Sequence, residues 1–235
     1  MADASESEAF EVDEEFAFLG RTFAEYRRMF DLDVDSLQGR DVLDCPGGPG
    51  SFTAVAAEIA NSVTAVDPEY GPPASNLEPL CRRSVRENVD QLREKRDLFV
   101  WHHYGDVETR GRYQRAAAER FLADYANHPE RYRTSALPDL PFADDAFDLT
   151  LSANLLFLYD DRLDEGFHHD AMAELTRVTD GEVRVFTLAS LDRTRSELVD
   201  PVVKRLRADG YGVEFREVPY EFQPGATEML VVHAG

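Results

Sequence analysis

The chain has 235 residues, of which 43% are apolar, enough for one sizeable core and for one domain, or two at most. Its 46 acidic residues outnumber 25 basic ones, a net charge of −21, and only Lys95 and Lys204 among the basic residues are lysines. Nucleic acid is not expected as a partner, because phosphate contacts need basic patches and weaken steeply with salt. The two cysteines, Cys45 and Cys81, exclude a disulfide framework or a cysteine-built zinc site.

High net charge with few apolar residues would signal disorder. Here the apolar content and the periodic segments point to a folded protein with an acidic coat, suited to a very salty cytoplasm. At 1 M salt the Debye length is about 3 Å, so repulsion between surface carboxylates is largely screened. No stretch approaches the ~20 apolar residues of a membrane-spanning helix. The first residues carry neither a basic region nor an apolar run, so no secretory signal is read there. The expectation is a cytoplasmic protein with no membrane partner; its oligomeric state is not legible.

Residues 1–12 are acidic and rich in Ser and Ala, and read as a loose tail; residues 13–235 read as a single domain. The spacing of Phe16, Leu19, Phe23, Tyr26 and Phe30 predicts a helix over residues 14–30. Residues 41–45 read as a strand, Pro46-Gly47-Gly48-Pro49-Gly50 as a turn, Ser51 as a helix N-cap, and residues 52–60 as a helix. Residues 62–67 form a second strand ending in Asp67-Pro68. This βαβ unit implies a parallel sheet with a right-handed crossover.

Residues 68–132 are far longer than a crossover requires and read as a helical insertion. Leu77, Cys81, Val85, Val89 and Leu92 make one helical stripe, and Tyr113, Ala117, Phe121 and Tyr125 another. The alternation then resumes. Strands are expected at 134–137, 147–153 and 182–188, with helices at 167–178 and 196–208 and Gly181 as a helix stop. Strands at 213–218 and 228–233, with no helix between them, read as a terminal antiparallel hairpin. The fold class is α/β, a doubly wound, mostly parallel seven-stranded sheet.

In an open α/β sheet a ligand binds beyond the carboxyl ends of the strands. The glycine turn after the first strand lies there. Glycines let the backbone approach a ligand closely, and the following helix N-terminus adds free N–H groups and partial positive charge. An acid ending the second strand, Asp67, suits the hydroxyls of a ribose. Nicotinamide and flavin enzymes share this pattern. Asp44, ending the first strand, is a natural partner for an ammonium group. His102-His103 with Asp106, and His168-His169 with Asp170, have no pair of histidines at helical ligand spacing, and no metal is expected.

At Asp44 with the glycine turn, at the run Leu140-Pro141-Phe142-Ala143-Asp144-Asp145-Ala146-Phe147-Asp148, and at the C-terminal hairpin, the sequence resembles the class I S-adenosylmethionine-dependent methyltransferases. The resemblance spans roughly residues 42–233, interrupted by the insertion. It implies S-adenosyl-L-methionine as cofactor and methyl transfer as the activity. It places Asp44 toward the methionine ammonium, Gly48 and Gly50 in the glycine motif, Asp67 on the ribose, Pro68 beside the adenine and Asn154 near the methyl group. Pro46 and Gly47 belong to the same turn. Pro46 stands where the family's first glycine usually is. Ala136, followed by Leu137, stands where an acid often reads the adenine, so a backbone carbonyl or Asp139 must serve, or adenine is held less specifically.

A small-molecule acceptor is implied, since Ser152-Ala153-Asn154-Leu155 lacks the Pro-Pro motif of amino-methylating enzymes that act on adenine or glutamine. The N-terminal helix and the insertion, both rich in aromatics, are expected to wall the acceptor pocket. Tyr26, Trp101, His103, Tyr104 and Tyr159 are its candidates, with His102 a further candidate base. Two rival readings are a nicotinamide-dependent oxidoreductase, for which no Tyr-x-x-x-Lys pair is found, and a non-catalytic subunit that binds a cofactor or a partner.

Overall fold

The computed structural model describes residues 16–235. The acidic segment 1–12 and the first two residues of the expected N-terminal helix lie outside them. Seven strands form one sheet in the order β3-β2-β1-β4-β5-β7-β6. They are β1 (Asp41–Asp44), β2 (Ser62–Val66), β3 (Tyr132–Arg133), β4 (Phe147–Ala153), β5 (Thr179–Phe186), β6 (Gly212–Glu217) and β7 (Glu228–His233). β1 to β5 are parallel, while β7 runs antiparallel to both β5 and β6. This is the doubly wound sheet with a terminal hairpin that the sequence implies. β4 beyond Asp148 and β5 from Val183 to Phe186 are buried on both faces, as central strands of a parallel sheet are.

The helices are α1 (Phe23–Met29), α2 (Phe52–Ala56), α3 (Ala74–Glu94), α4 (Val107–Asn127), α5 (Glu165–Arg177) and α6 (Val199–Ala208). One core cluster joins α5 and α6 to one face of the sheet. A second joins α1 and α2 to the other, with Met29, Phe30 and Phe52 fully buried. The expected insertion is two long helices, α3 and α4, packed through Val85, Val89, Leu92 and Val107. Phe121 and Tyr125 of α4 pack with Tyr70 and Tyr132 at the β3 edge.

Four expectations need correction. Residues 16–22 are not helical; α1 begins at Phe23, behind a capping box in which the Thr22 hydroxyl accepts the Glu25 N–H and Glu25 accepts the Thr22 N–H. α1 packs into the core through Tyr26 and Met29. Ser51 does not cap α2: its hydroxyl accepts the N–H of Phe23, so it satisfies α1 instead. The third strand lies at Tyr132–Arg133, before 134–137, because it pairs only with Ala65 and Val66 at the end of β2. Gly181 does not stop a helix but lies within β5, where a Cβ would sit 2.2 Å from the carbonyl oxygen of Asp148.

Candidate functional site

The carboxyl ends of β1, β2, β4 and β5 open into one cleft of about 1090 Å³, its mouth included. Pro46, Gly47 and Gly48 follow β1 along its wall, Asp67 follows β2, Asn154 follows β4 and Thr187 follows β5. Residues 17–19 and Arg21 close it from the N-terminal side. That segment lies directly on the glycine turn. A Cβ on Gly20 would stand 1.9 Å from the carbonyl oxygen of Pro49, so only glycine allows this approach. Asn88 and Leu92 of α3, Arg110 of α4 and Tyr220 and Phe222 beyond β6 complete the wall.

Two carboxylates stand at the base of the site. Asp67 is 6% exposed; its Oδ2 accepts the Gly48 N–H at 2.9 Å and its Oδ1 accepts the Glu69 N–H at 3.0 Å. Burial raises its pKa to about 6, against these two hydrogen bonds. Gly48 has φ +51°, and a Cβ there would point to within 4.0 Å of Asp67 Oδ2. A side chain at Gly48 would thus fill the space beside the carboxylate, where glycine leaves bare backbone.

Asp44 lies behind this surface, 1% exposed, and does not line the cleft. Its Oδ1 accepts the Tyr26 hydroxyl at 2.9 Å and its Oδ2 the Thr53 hydroxyl at 3.5 Å. Burial raises its pKa to about 8, and nearby Asp67 adds to the rise. Tyr26, which does line the cleft, separates Asp44 from it and stacks on Phe52.

A polar cluster fills the far end. Glu25 is 0% exposed, and its carboxylate accepts the N–H and hydroxyl of Thr22, each at 2.7 Å, and the hydroxyl of Tyr104. Tyr104 shares a hydrogen bond of 2.7 Å with Tyr220. Arg21 approaches Glu25 at 3.9 Å, and its Nε has no hydrogen-bond partner. Arg110, 3% exposed, donates to Asn88 Oδ1 at 2.6 Å and stacks over Phe222 at 4.2 Å. Its Nε is unpartnered too. Burial pushes Arg110 below its ordinary pKa, but a guanidinium keeps its proton in proteins.

Of the residues expected from sequence to hold a cofactor, Pro46, Gly47, Gly48, Asp67 and Asn154 meet at the cleft. Gly50 is buried behind the turn, against the carbonyl of Gly47. Leu137 belongs to the α5–α6 core and Pro68 is exposed; neither lines the cleft, nor does the exposed Asp139. On the acceptor side, Tyr26 and Tyr159 line it, and the Tyr159 hydroxyl accepts the Ala17 N–H at 3.2 Å. Trp101, His103 and Tyr104 stand one layer back. Trp101 donates to the Arg96 carbonyl and packs edge-on against Phe222, while His103 lies among Tyr104, Tyr113 and Tyr220. His102 is exposed.

Sequence reasoning missed Arg21, Asn88, Arg110 and Tyr220. A signal existed for Arg110. The α4 stripe, extended one turn toward the N-terminus, falls on Arg110 and Gln114, a charge and an amide at buried positions. Among the described residues no group of three or more His, Cys, Asp or Glu side chains is gathered as a metal would need. No helix there is long and apolar enough to cross a membrane.

No family model matches the chain. Over 215 residues it is 29% identical to an uncharacterised protein of Methanocaldococcus jannaschii, covering 91% of this chain and 94% of that protein. Among solved structures it is similar to the N-methyltransferase NodS of Bradyrhizobium japonicum, at 15% identity and TM-score 0.49, over 90% of this chain and 94% of that one. It is also similar to the magnesium protoporphyrin IX methyltransferase of Synechocystis with bound S-adenosylmethionine, at 14% identity and TM-score 0.46, over 90% of each chain.

Proposed function

We propose that the protein transfers a methyl group from S-adenosylmethionine to a small-molecule acceptor. The observation that carries this reading is the meeting of the glycine turn and Asp67 at the strand ends, where the N–H of Gly48 and the Asp67 carboxylate share one wall of the cleft. The donor set fits the cofactor. Asp67 is a buried carboxylate with lone pairs to spare for the two ribose hydroxyls. Pro46, Gly47 and Gly48 present backbone along the methionyl chain, and Asn154 stands at the reactive end. Asp44 acts from behind: burial keeps its carboxyl neutral in the ligand-free protein, and an ammonium group on the far side of Tyr26 favours its ionisation. Bound there, the cofactor supplies the activated methyl group. The chain's residues align it with the acceptor, an alignment worth about 7–11 kcal/mol of barrier when complete.

The test is calorimetry of S-adenosylhomocysteine in molar KCl, with NADH titrated in parallel. Asp67→Ala is expected to weaken S-adenosylhomocysteine binding by about 1.5–3 kcal/mol, the scale of hydrogen bonds to a charged group. Unchanged affinity in a folded variant removes the ribose role of Asp67. Binding of NADH in place of S-adenosylhomocysteine by the wild type replaces this reading with the oxidoreductase one.

The charge of −21 supports a further element of the proposal, a working environment of concentrated salt such as a halophile's cytoplasm. Withdrawing salt lengthens the range over which surface carboxylates repel, from about 3 Å at 1 M to about 30 Å at 0.01 M. The Tm is therefore expected to climb steadily from low-millimolar to multimolar KCl. A flat Tm across that range refutes it.

A further inference from the structure

We propose that the acceptor is itself an acid, a carboxylate or phosphate on an apolar body, bound through its anionic group by the guanidinium of Arg110. The proposal rests on the methyl-transfer reading only in calling this ligand the acceptor.

The chain as a whole is strongly acidic, yet at this end of the cleft two guanidiniums, the partly buried Arg21 and the buried Arg110, face a single carboxylate, Glu25. Glu25 already accepts three hydrogen bonds, from Thr22 and Tyr104. It forms an ion pair with Arg21, and among the described residues no carboxylate lies within ion-pair distance of Arg110. Burying a cation without a counter-charge is costly. The neutral contacts of Arg110, one Asn88 oxygen and the faces of Phe222 and Tyr104, compensate that cost only in part. Its Nε–H is left with no acceptor at all. A carboxylate or phosphate in the cleft that Arg110 lines supplies the missing negative charge, in the geometry a guanidinium binds best.

The surroundings define the rest of the ligand. Phe99 and Phe222 are stacked at 4.6 Å beside Arg110, and both line the cleft with Leu92. Arg110 belongs to the helical insertion, whereas the cofactor residues proposed above belong to the sheet and its turns. One group of elements is thus available for each ligand.

The probes are benzoate and phenyl phosphate, with benzamide as the neutral counterpart, each titrated into protein saturated with S-adenosylhomocysteine. Saturation ensures that the cofactor's own carboxylate is already seated. The wild type is expected to bind at least one acid about tenfold or more tightly than benzamide, a charge-assisted preference. The acid that binds more tightly identifies the native group. Arg110→Gln is expected to abolish the preference while holding S-adenosylhomocysteine affinity within about threefold.

Because a buried arginine can be needed for folding, Asn88→Asp provides an isosteric second variant. It sets a carboxylate against Arg110 in place of the amide oxygen at 2.6 Å, and is expected to abolish the acid preference in the same way. Equal binding of acids and benzamide by the wild type overturns the proposal. So does a loss of S-adenosylhomocysteine affinity of about tenfold or more in Arg110→Gln, which would assign Arg110 to the cofactor. If S-adenosylhomocysteine does not bind the wild type but the ligand-free protein still prefers the acids through Arg110, the anion site stands and the methyl-transfer reading falls.

Discussion

Glu25→Ala is expected to cost the fold about 3–5 kcal/mol, the loss that follows when one partner of a buried ionic network is removed. For a chain of this size that corresponds to a fall in Tm of about 6–20 °C. The carboxylate is fully buried, and three kinds of group depend on it. It closes the capping box at the start of α1 by accepting the Thr22 N–H and hydroxyl at 2.7 Å. It accepts the Tyr104 hydroxyl, linking α1 to the segment that enters α4 and, through Tyr220, to the segment after β6. It is also the counter-charge for Arg21 at 3.9 Å. Alanine leaves the buried Tyr104 hydroxyl and the Thr22 N–H without their acceptor, and Arg21 without its counter-charge. Glu25→Gln keeps the volume and one acceptor oxygen, so it should lose distinctly less. Calorimetric melting of the two variants beside the wild type decides the matter. A Glu25→Ala protein that melts within about 2 °C of the wild type would mean that the cluster contributes nothing to stability.

The same cluster marks the limit of what could be read from sequence. β4 and β7 fall where the sequence predicts because β4 sets Phe147, Leu149 and Leu151 at alternate positions and β7 holds the apolar run Met229 to Val232. The apolar stripe of α3 is legible because Leu77, Cys81, Val85, Val89 and Leu92 all face one surface. Residues 16–22 mislead for a physical reason. Their aromatic spacing imitates a helix, but each apolar residue serves a different neighbour. Phe16 meets Tyr159 edge-on at 4.9 Å, Phe18 packs on Phe121 at 6.3 Å, and Leu19 joins the α3–α4 cluster. The boundary was present in Thr22-x-x-Glu25, a helix-start signature that outweighs periodicity when the two disagree. β3 has no periodicity to detect, being two residues long and ended where the Asp67 N–H takes the Arg133 carbonyl. At the site, the turn and Asp67 are local features of the chain and can be read directly. The approach of Arg110, Tyr220 and Glu25 joins residues 85 or more positions apart in each neighbouring pair, and no local pattern encodes it.

Asp44→Asn is expected to stabilise the ligand-free protein by about 1–3 kcal/mol above pH 8 while weakening S-adenosylhomocysteine binding about tenfold or more. The carboxyl of Asp44 is held neutral by burial, with its pKa near 8 in the fold against an ordinary 3.8. A group whose pKa rises on folding contributes its stability fully below the unfolded value and loses it as pH climbs toward the folded value. The wild type should therefore weaken between about pH 4 and pH 8, where the native state still holds a proton that the unfolded chain has already released. Asparagine is neutral throughout. It retains an oxygen for the Tyr26 hydroxyl, now 2.9 Å from Asp44 Oδ1. The advantage of the variant should be absent below pH 4, grow across the window and level off above pH 8. Binding should run in the opposite sense. A cationic ammonium near Asp44 favours the ionised carboxylate, so the wild type should release a proton on binding S-adenosylhomocysteine near neutral pH and the variant should release less. Titrations in two buffers of different ionisation enthalpy measure that proton directly. Equal proton release by the two proteins would detach Asp44 from the cofactor. A stability difference that does not change with pH would show that its carboxyl is not held neutral by the fold.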